Sequence, residues 1–228
     1  MSTVIANTPL MKVTRFYEST IGKKAIMAVT GLILFGFLIA HMLGNLQIFL
    51  GSAVMDHYAE TLHSTVELLW PVRIVLLISV VLHIWASISL SKVKRDARPV
   101  AYVKHTNITS SWASRTMMLS GPIIAAFVVF HLLHLTTGTI QPAPFLPLHA
   151  YENLVGGFAV AWVALLYIAV MIFIGFHLSH GIWSMFQSIG FNHPRYTPAI
   201  KKFAAIFSWI LIAGFISVPL AVLTGLVR

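Results

Sequence analysis

The stretch GFHLSHGIWSMFQSIGFN, residues 175–192, closes a long apolar run and carries His177 and His180 three residues apart. This spacing puts both imidazoles on one face of a helix. Histidine is costly in the apolar part of a bilayer, so it usually serves a function there. Small residues beside it, among them Gly175 and Gly181, would leave room for a flat, wide ligand. The stretch therefore predicts a membrane helix that contributes to a cofactor site.

The composition of the chain is that of a membrane protein. Of its 228 residues, 58% are hydrophobic and 9% are charged, whereas a soluble domain has about 25% charged residues. The absence of cysteine excludes disulfides, iron–sulfur clusters and thioether-linked haem within this chain. We expect a multi-pass protein of the cell (inner) membrane that contacts lipid. Its net charge of +9 reflects membrane topology, and we expect no nucleic-acid partner.

Five apolar runs are long enough to cross the hydrocarbon core, which takes about 20 helical residues. They cover residues 25–50, 70–90, 117–138, 158–186 and 203–227. The chain is therefore predicted to be an all-α integral membrane protein with a single transmembrane domain over residues 1–228.

The basic residues predict the orientation of these helices. If the N-terminus is cytoplasmic, thirteen of the fifteen Lys and Arg residues lie on the inner side, and only Arg73 and Arg228 lie outside. This asymmetry is what the positive-inside rule describes. The inner loop of residues 92–114 is basic and polar, which suits a docking surface for a soluble partner.

Histidines occur in four of the five predicted spans. They are His41 in the first, His83 in the second, His131 and His134 in the third, and His177 and His180 in the fourth. The pattern indicates a four-helix core with a peripheral fifth helix. At 1.5 Å per residue, His41 and His131 lie about 25 Å from the inner boundary. His83 and His177 lie about 15 Å from it by the same rise.

These depths predict two imidazole pairs, each from two different helices. Such pairs are how helix bundles hold b-type haem, so the sequence predicts two haems about 10 Å apart along the membrane normal. Spacing leaves open which member of His131/His134 and of His177/His180 is the ligand. The second member could bond a propionate or the ligand itself. Zinc is disfavoured because no cysteine or carboxylate within the membrane completes a site.

Several motifs resemble the cytochrome b subunit of succinate dehydrogenase and fumarate reductase, in its five-helix, two-haem form. They are SxxGKKxxMAxTG at 19–31, HMLGN at 41–45, SRTMMLSG at 114–121, FHLLH at 130–134 and FHLSHGIWSMFQSIG at 176–190. The last motif is the most specific of them.

The resemblance implies that the chain anchors a flavoprotein and an iron–sulfur protein on the cytoplasmic face, in a complex that can oligomerise further. Electrons would pass from succinate to menaquinone or ubiquinone, while the succinate chemistry belongs to the partners. The implied axial ligands are His41 and His131 for the distal haem, and His83 and His177 for the proximal haem. The secondary candidates are His134 and His180. Some relatives use a carboxylate near the fourth-helix ligand for proton transfer, and this chain lacks one there.

The resemblance also offers Ser19 and Lys23 as quinone-binding residues near the start of the first helix. The alternative is that Ser19 is a helix N-cap and Lys23 a topology charge. A site near the outer haem, beside Glu67, competes with this assignment. Two other functions remain open: a di-haem anchor of a formate dehydrogenase or hydrogenase, and a haem-free multi-pass transporter.

Overall fold

The computed structural model describes residues 16–97, 100 and 110–228. In this part of the chain five helices are long and apolar enough to cross a membrane, and no strand occurs. The helices in chain order are α1 (Thr20–Asn45), α2 (Ser52–Ser64), α3 (Val66–Asp96), α4 (Trp112–Arg115), α5 (Met117–His131), α6 (Ala150–Phe158), α7 (Ala161–Ser188) and α8 (Thr197–Leu223). The predicted all-α, five-span membrane fold is confirmed, with α1, α3, α5, α7 and α8 as the spans.

The spanning helices do not follow the predicted apolar runs residue by residue. Helix α3 continues past the second run to Asp96, because a helix can extend from the hydrocarbon into water without losing its backbone hydrogen bonds. The predicted fourth run starts at the break between two helices, since α6 ends at Phe158 and α7 begins at Ala161. Residues 98–99 and 101–109 of the basic loop lie outside the described residues. The cytoplasmic N-terminus and the single domain stay predictions.

The segment between α1 and α3 is structured. A 3₁₀ turn, Leu46–Leu50, leads through Gly51 into the short helix α2. Gly51 has φ +95°, a left-handed conformation that favours glycine. From α2, the Asp56 carboxylate accepts a hydrogen bond of 2.9 Å from the backbone N–H of Tyr151, in the first turn of α6. This bond ties together two connections that are far apart in the chain.

Helix α8 packs along α7 and also reaches α1. A Cβ on Gly175 would lie 2.9 Å from the Trp209 ring, so Gly175 allows α7 and α8 to approach closely. The Trp209 ring also meets Phe176 edge-on, with 5.2 Å between ring centres. Helix α8 also contacts α1, where Gly214 of α8 lies against Met42 of α1. The space that the sequence assigned to a ligand beside Gly175 is thus filled by a helix–helix contact.

The end of α5 departs from α-helical geometry. After His131 the chain forms a π-helical turn, Leu132–Thr136, in which the N–H of Thr137 bonds to the Leu132 carbonyl at 2.9 Å. Such turns are rare in proteins, and those that occur are often at functional sites. The following residues, 137–149, are irregular, as the prolines of this segment predict.

Gly175→Ala should weaken the contact between α7 and α8, because the new methyl group would press on Trp209. Overpacking costs about 1–3 kcal/mol, which exceeds the gain in helix propensity of up to about 1 kcal/mol. Unfolding of the purified complex in mixed micelles measures the effect. The matched control is Gly36→Ala, where a Cβ would meet nothing within 4 Å. Equal stabilities of the two variants would refute the packing role of Gly175.

Candidate functional site

The structure brings His83 of α3 next to His177 of α7, the pair predicted for the inner level. Their ring centres are 6.4 Å apart and their planes are inclined by 52°. Both side chains are partly buried within the bundle. His180 follows one turn later on α7 and is also partly buried.

His83 and His177 each have a hydroxyl partner on another helix, α1 for His83 and α5 for His177. The Thr30 Oγ1 of α1 lies 3.1 Å from His83 Nδ1, and the Ser120 Oγ of α5 lies 3.3 Å from His177 Nδ1. Thr30 donates its own hydrogen to the Ile26 carbonyl, 2.7 Å away. Its oxygen is therefore free to accept from the N–H of His83. This arrangement favours the tautomer in which Nε2 carries the lone pair that a metal would use.

The outer pair is formed by His41 of α1 and His131 at the end of α5. Their ring centres are 5.7 Å apart and their planes are nearly perpendicular, at 84°. The hydroxyl of Tyr167 on α7 lies 3.2 Å from His131 Nδ1. A hydroxyl on a neighbouring helix thus orients this ring as well, through the same ring nitrogen as at the inner level.

The second histidine of the outer motif, His134, does not share the position of His131. It is fully buried, and its ring packs among Phe130, Phe158 and Tyr167. Its Nδ1 lies 2.9 Å from the Tyr167 hydroxyl. Sequence spacing left the choice between His131 and His134 open, and the structure brings the ring of His131 beside His41.

The inner and outer groups are related by a common spacing along two helices. On α1, Thr30 serves the inner pair and His41, eleven residues later, belongs to the outer pair. On α5, Ser120 and His131 repeat this arrangement with the same spacing. Eleven residues make about three helical turns, so each couple lies on one face about 16 Å apart. The bundle therefore presents two polar levels within an apolar interior.

The donor set of these levels fits a metal held between two imidazoles. A metal lies about 2 Å from an imidazole nitrogen that binds it, which separates two such ring centres by about 6 to 6.5 Å. The inner pair, His83 and His177, has this separation at 6.4 Å. The outer pair, His41 and His131, is closer at 5.7 Å and needs to open by less than 1 Å. Imidazole pairs of this kind suit haem iron.

The residues predicted for quinone binding lie at the start of α1. The Ser19 hydroxyl caps the helix: it accepts from the N–H of Gly22 at 2.9 Å and donates to the Phe16 carbonyl at 2.7 Å. Lys23 follows in the first turn and is partly buried. This geometry is that of the N-cap alternative, and quinone binding by these residues stays a prediction.

Sequence reasoning missed the three hydroxyls that orient the histidines, Thr30, Ser120 and Tyr167. For Thr30 and Ser120, the available signal was the eleven-residue spacing from a hydroxyl to a histidine in two apolar helices. Away from these levels, His149 lies 3.9 Å from Asp56 and 3.6 Å from Glu152.

Comparison with protein families gives a match to the succinate dehydrogenase/fumarate reductase transmembrane subunit over residues 92–217, more than half of the chain. The chain belongs to this family. The matched range contains His131 and His177 with their partners Ser120 and Tyr167, whereas His41 and His83 precede it. Searches of curated proteins and of solved structures gave no match.

Membership confirms the resemblance seen in the sequence motifs. A member of this family is a multi-pass membrane subunit that works with other subunits in an oxidoreductase complex of the succinate dehydrogenase or fumarate reductase type. The two histidine levels of this chain therefore lie within the membrane part of such a complex.

Thr30→Val should destabilise the bundle by about 1–3 kcal/mol, because a buried histidine N–H loses its acceptor. Thr61→Val is the matched control. Thr61 also bonds to a carbonyl four residues earlier, at 2.8 Å, but it is exposed and its hydroxyl does not hold a histidine ring. Unfolding of the purified complex in mixed micelles compares the two. A loss in Thr61→Val as large as in Thr30→Val would refute the role of Thr30 in holding His83.

Proposed function

We propose that the chain is the di-haem cytochrome b anchor of a succinate:quinone oxidoreductase, passing electrons from an iron–sulfur subunit to a membrane quinone. The observation that carries this proposal is the meeting of two histidine pairs, drawn from four membrane helices, in a chain of this family. Helix bundles hold b-type haem between such pairs. Two pairs at two levels support two haems.

The proposed axial ligands are His83 and His177 for the proximal haem, and His41 and His131 for the distal haem. Their support is the ring spacing, together with the hydroxyls on Nδ1 of His83, His177 and His131. When bound, haem supplies reversible one-electron transfer. The chain's part is to hold each imidazole neutral and oriented, with Nε2 towards its partner. His134 and His180 are then not required as ligands.

Aromatic side chains surround the outer pair and would exclude water from it. Phe37 stacks on His41 with ring centres 5.2 Å apart, and Phe215 of α8 approaches the same ring at 5.9 Å. Phe127 stacks on His131 at 5.9 Å. Burial among apolar groups is one of the levers by which a protein sets a haem potential. We assign this role to the aromatic shell here.

We also propose that the N-terminus is cytoplasmic and that the flavoprotein and iron–sulfur subunits dock on that face. The support is the basic asymmetry, in which Arg73 and Arg228 alone of the fifteen Lys and Arg residues fall outside. The level of His83 and His177 is then nearer the docked subunits. Succinate chemistry takes place in those partners, and this chain carries the electrons onward.

The proposed quinone, menaquinone or ubiquinone, needs a hydrogen-bond donor at a bilayer edge. Of the two candidates at the start of α1, the Ser19 hydroxyl already donates to Phe16. Lys23 is therefore the better donor to a quinone carbonyl, with the position beside Glu67 as the competing site on the outer side.

Absorbance and haem content of the purified complex test the proposal. We expect two b-type haems per copy of this chain, with a reduced α-band. His83→Ala and His177→Ala should each remove one and the same haem, distinguished by its midpoint potential. His41→Ala and His131→Ala should each remove the other, because one missing imidazole leaves the iron without its second axial ligand.

His57→Ala is the matched control, since His57 is exposed on α2 and should leave both haems in place. A complex with no reduced b-type band would contradict the proposal and favour a haem-free transporter. Loss of different haems from His83→Ala and His177→Ala would overturn the pairing alone. Co-purification with formate dehydrogenase or hydrogenase subunits would overturn the assigned partner complex.

A further inference from the structure

The Tyr167 hydroxyl lies between two histidines, 3.2 Å from His131 Nδ1 and 2.9 Å from His134 Nδ1. A hydroxyl has one hydrogen, so it donates to one of these nitrogens and accepts from the other. The direction of both bonds therefore depends on a neighbouring group that can only donate or only accept a hydrogen bond. Such a group lies on the far side of His134.

Two buried polar atoms among the described residues have no hydrogen-bond partner, His134 Nε2 and Gln141 Oε1. They face the same point: a Cβ on Gly157 would lie 2.8 Å from His134 Nε2 and 3.3 Å from Gln141 Oε1. The Gln141 side chain is held by its Nε2, which donates to the Asn153 carbonyl at 2.7 Å. Its oxygen can only accept. The two atoms do not bond to each other directly, and a bridging water that accepts from His134 Nε2 and donates to Gln141 Oε1 would satisfy both.

A hydrogen on His134 Nε2 would set the direction of every bond in the cluster. If His134 Nε2 carries the hydrogen for Gln141, then His134 Nδ1 is an acceptor. The Tyr167 hydroxyl must then donate to His134, and its oxygen accepts from the Nδ1–H of His131. The remaining nitrogen of His131, Nε2, is left with its lone pair free. The opposite direction would place a hydrogen on His131 Nε2 and would block metal binding there.

We propose that His134, Tyr167 and Gln141 form a directed hydrogen-bond chain that positions His131 as a ligand and raises its donor strength towards the distal haem iron. The inference rests on the proposed function, since it assigns a role towards that haem. His134 is a positioning residue in this chain, not an axial ligand. An acceptor on the second nitrogen of a ligating histidine makes the first a stronger base, which stabilises the oxidised iron.

Gly157 is the residue that makes the chain possible. Any side chain at this position would clash with the His134 ring, whose Cε1 and Nε2 both lie 2.8 Å from the added Cβ. Gly157 belongs to α6, the short helix that the Asp56 bond holds in place. The outer helices therefore have a part in the site: they close its end and bring Gln141 and His134 together.

Redox titration of the two haems in the purified complex tests the inference. Tyr167→Phe should raise the midpoint potential of the distal haem, because His131 loses its acceptor. We expect a change of at least about threefold in the reduction equilibrium constant, about 28 mV at about 59 mV per tenfold change. The proximal haem, whose histidines bond to Thr30 and Ser120, should keep its potential and serves as the internal control.

A matched pair of variants separates positioning from packing. The Oδ1 of Asn occupies the place of a histidine Nδ1, so His134→Asn keeps the acceptor for Tyr167 and should retain a distal potential near that of the wild type. His134→Leu has a similar size but no acceptor, and it should shift the distal potential as Tyr167→Phe does. If the shifted variants release the distal haem, retention is compared instead, and His134→Asn should hold the haem better than His134→Leu.

Two results would overturn the inference: an unchanged distal potential in Tyr167→Phe with both haems bound, or equal behaviour of His134→Asn and His134→Leu. These outcomes leave the di-haem proposal intact. Failure of that proposal is recognised separately, by retention of the distal haem in His131→Ala.

Discussion

The constraint on which the bundle depends is that a polar N–H within the membrane needs an acceptor inside the protein. The imidazoles of His83, His177 and His131 meet this requirement through hydroxyls on neighbouring helices. These bonds join α1 with α3 once and α5 with α7 twice, at the inner and at the outer level. Because lipid offers no competing partner, these bonds fix both the rotation of each ring and the register of the helices.

The register explains why the site has two levels. On both α1 and α5 a hydroxyl lies eleven residues before a histidine. When the two hydroxyls lie beside the inner histidines, His41 and His131 therefore come together at the outer level. Helix α7 runs through both levels, with Tyr167 at the outer one and His177 at the inner one. One set of helix positions therefore satisfies the side-chain contacts of both levels. A helix that slid to improve the contacts at one level would lose those at the other.

Much of this could be predicted from the sequence. Hydropathy gave the spans, and the depths of His41, His83, His131 and His177 gave the pairing, because a continuous apolar helix converts residue number into height. The short helices α2 and α6 could not be predicted from hydropathy, since their ends depend on long-range contacts such as Asp56 with Tyr151. Gly175 was misread because a glycine in an apolar helix suits a ligand and a neighbouring helix equally well, and only the position of Trp209 distinguishes them.

The choice between the two histidines of the third span follows from backbone geometry that hydropathy does not encode. In a continuous α-helix, His131 and His134 would share a face and compete for the same position. The π-helical turn that begins at Leu132 changes the rotation per residue, so that the second ring turns towards Gly157 while the first stays beside His41. After this turn, the His134 ring bonds to the Tyr167 hydroxyl and packs among buried aromatic neighbours. The irregular turn therefore separates two identical side chains into two roles: one faces the bundle axis, and the other supports it from behind.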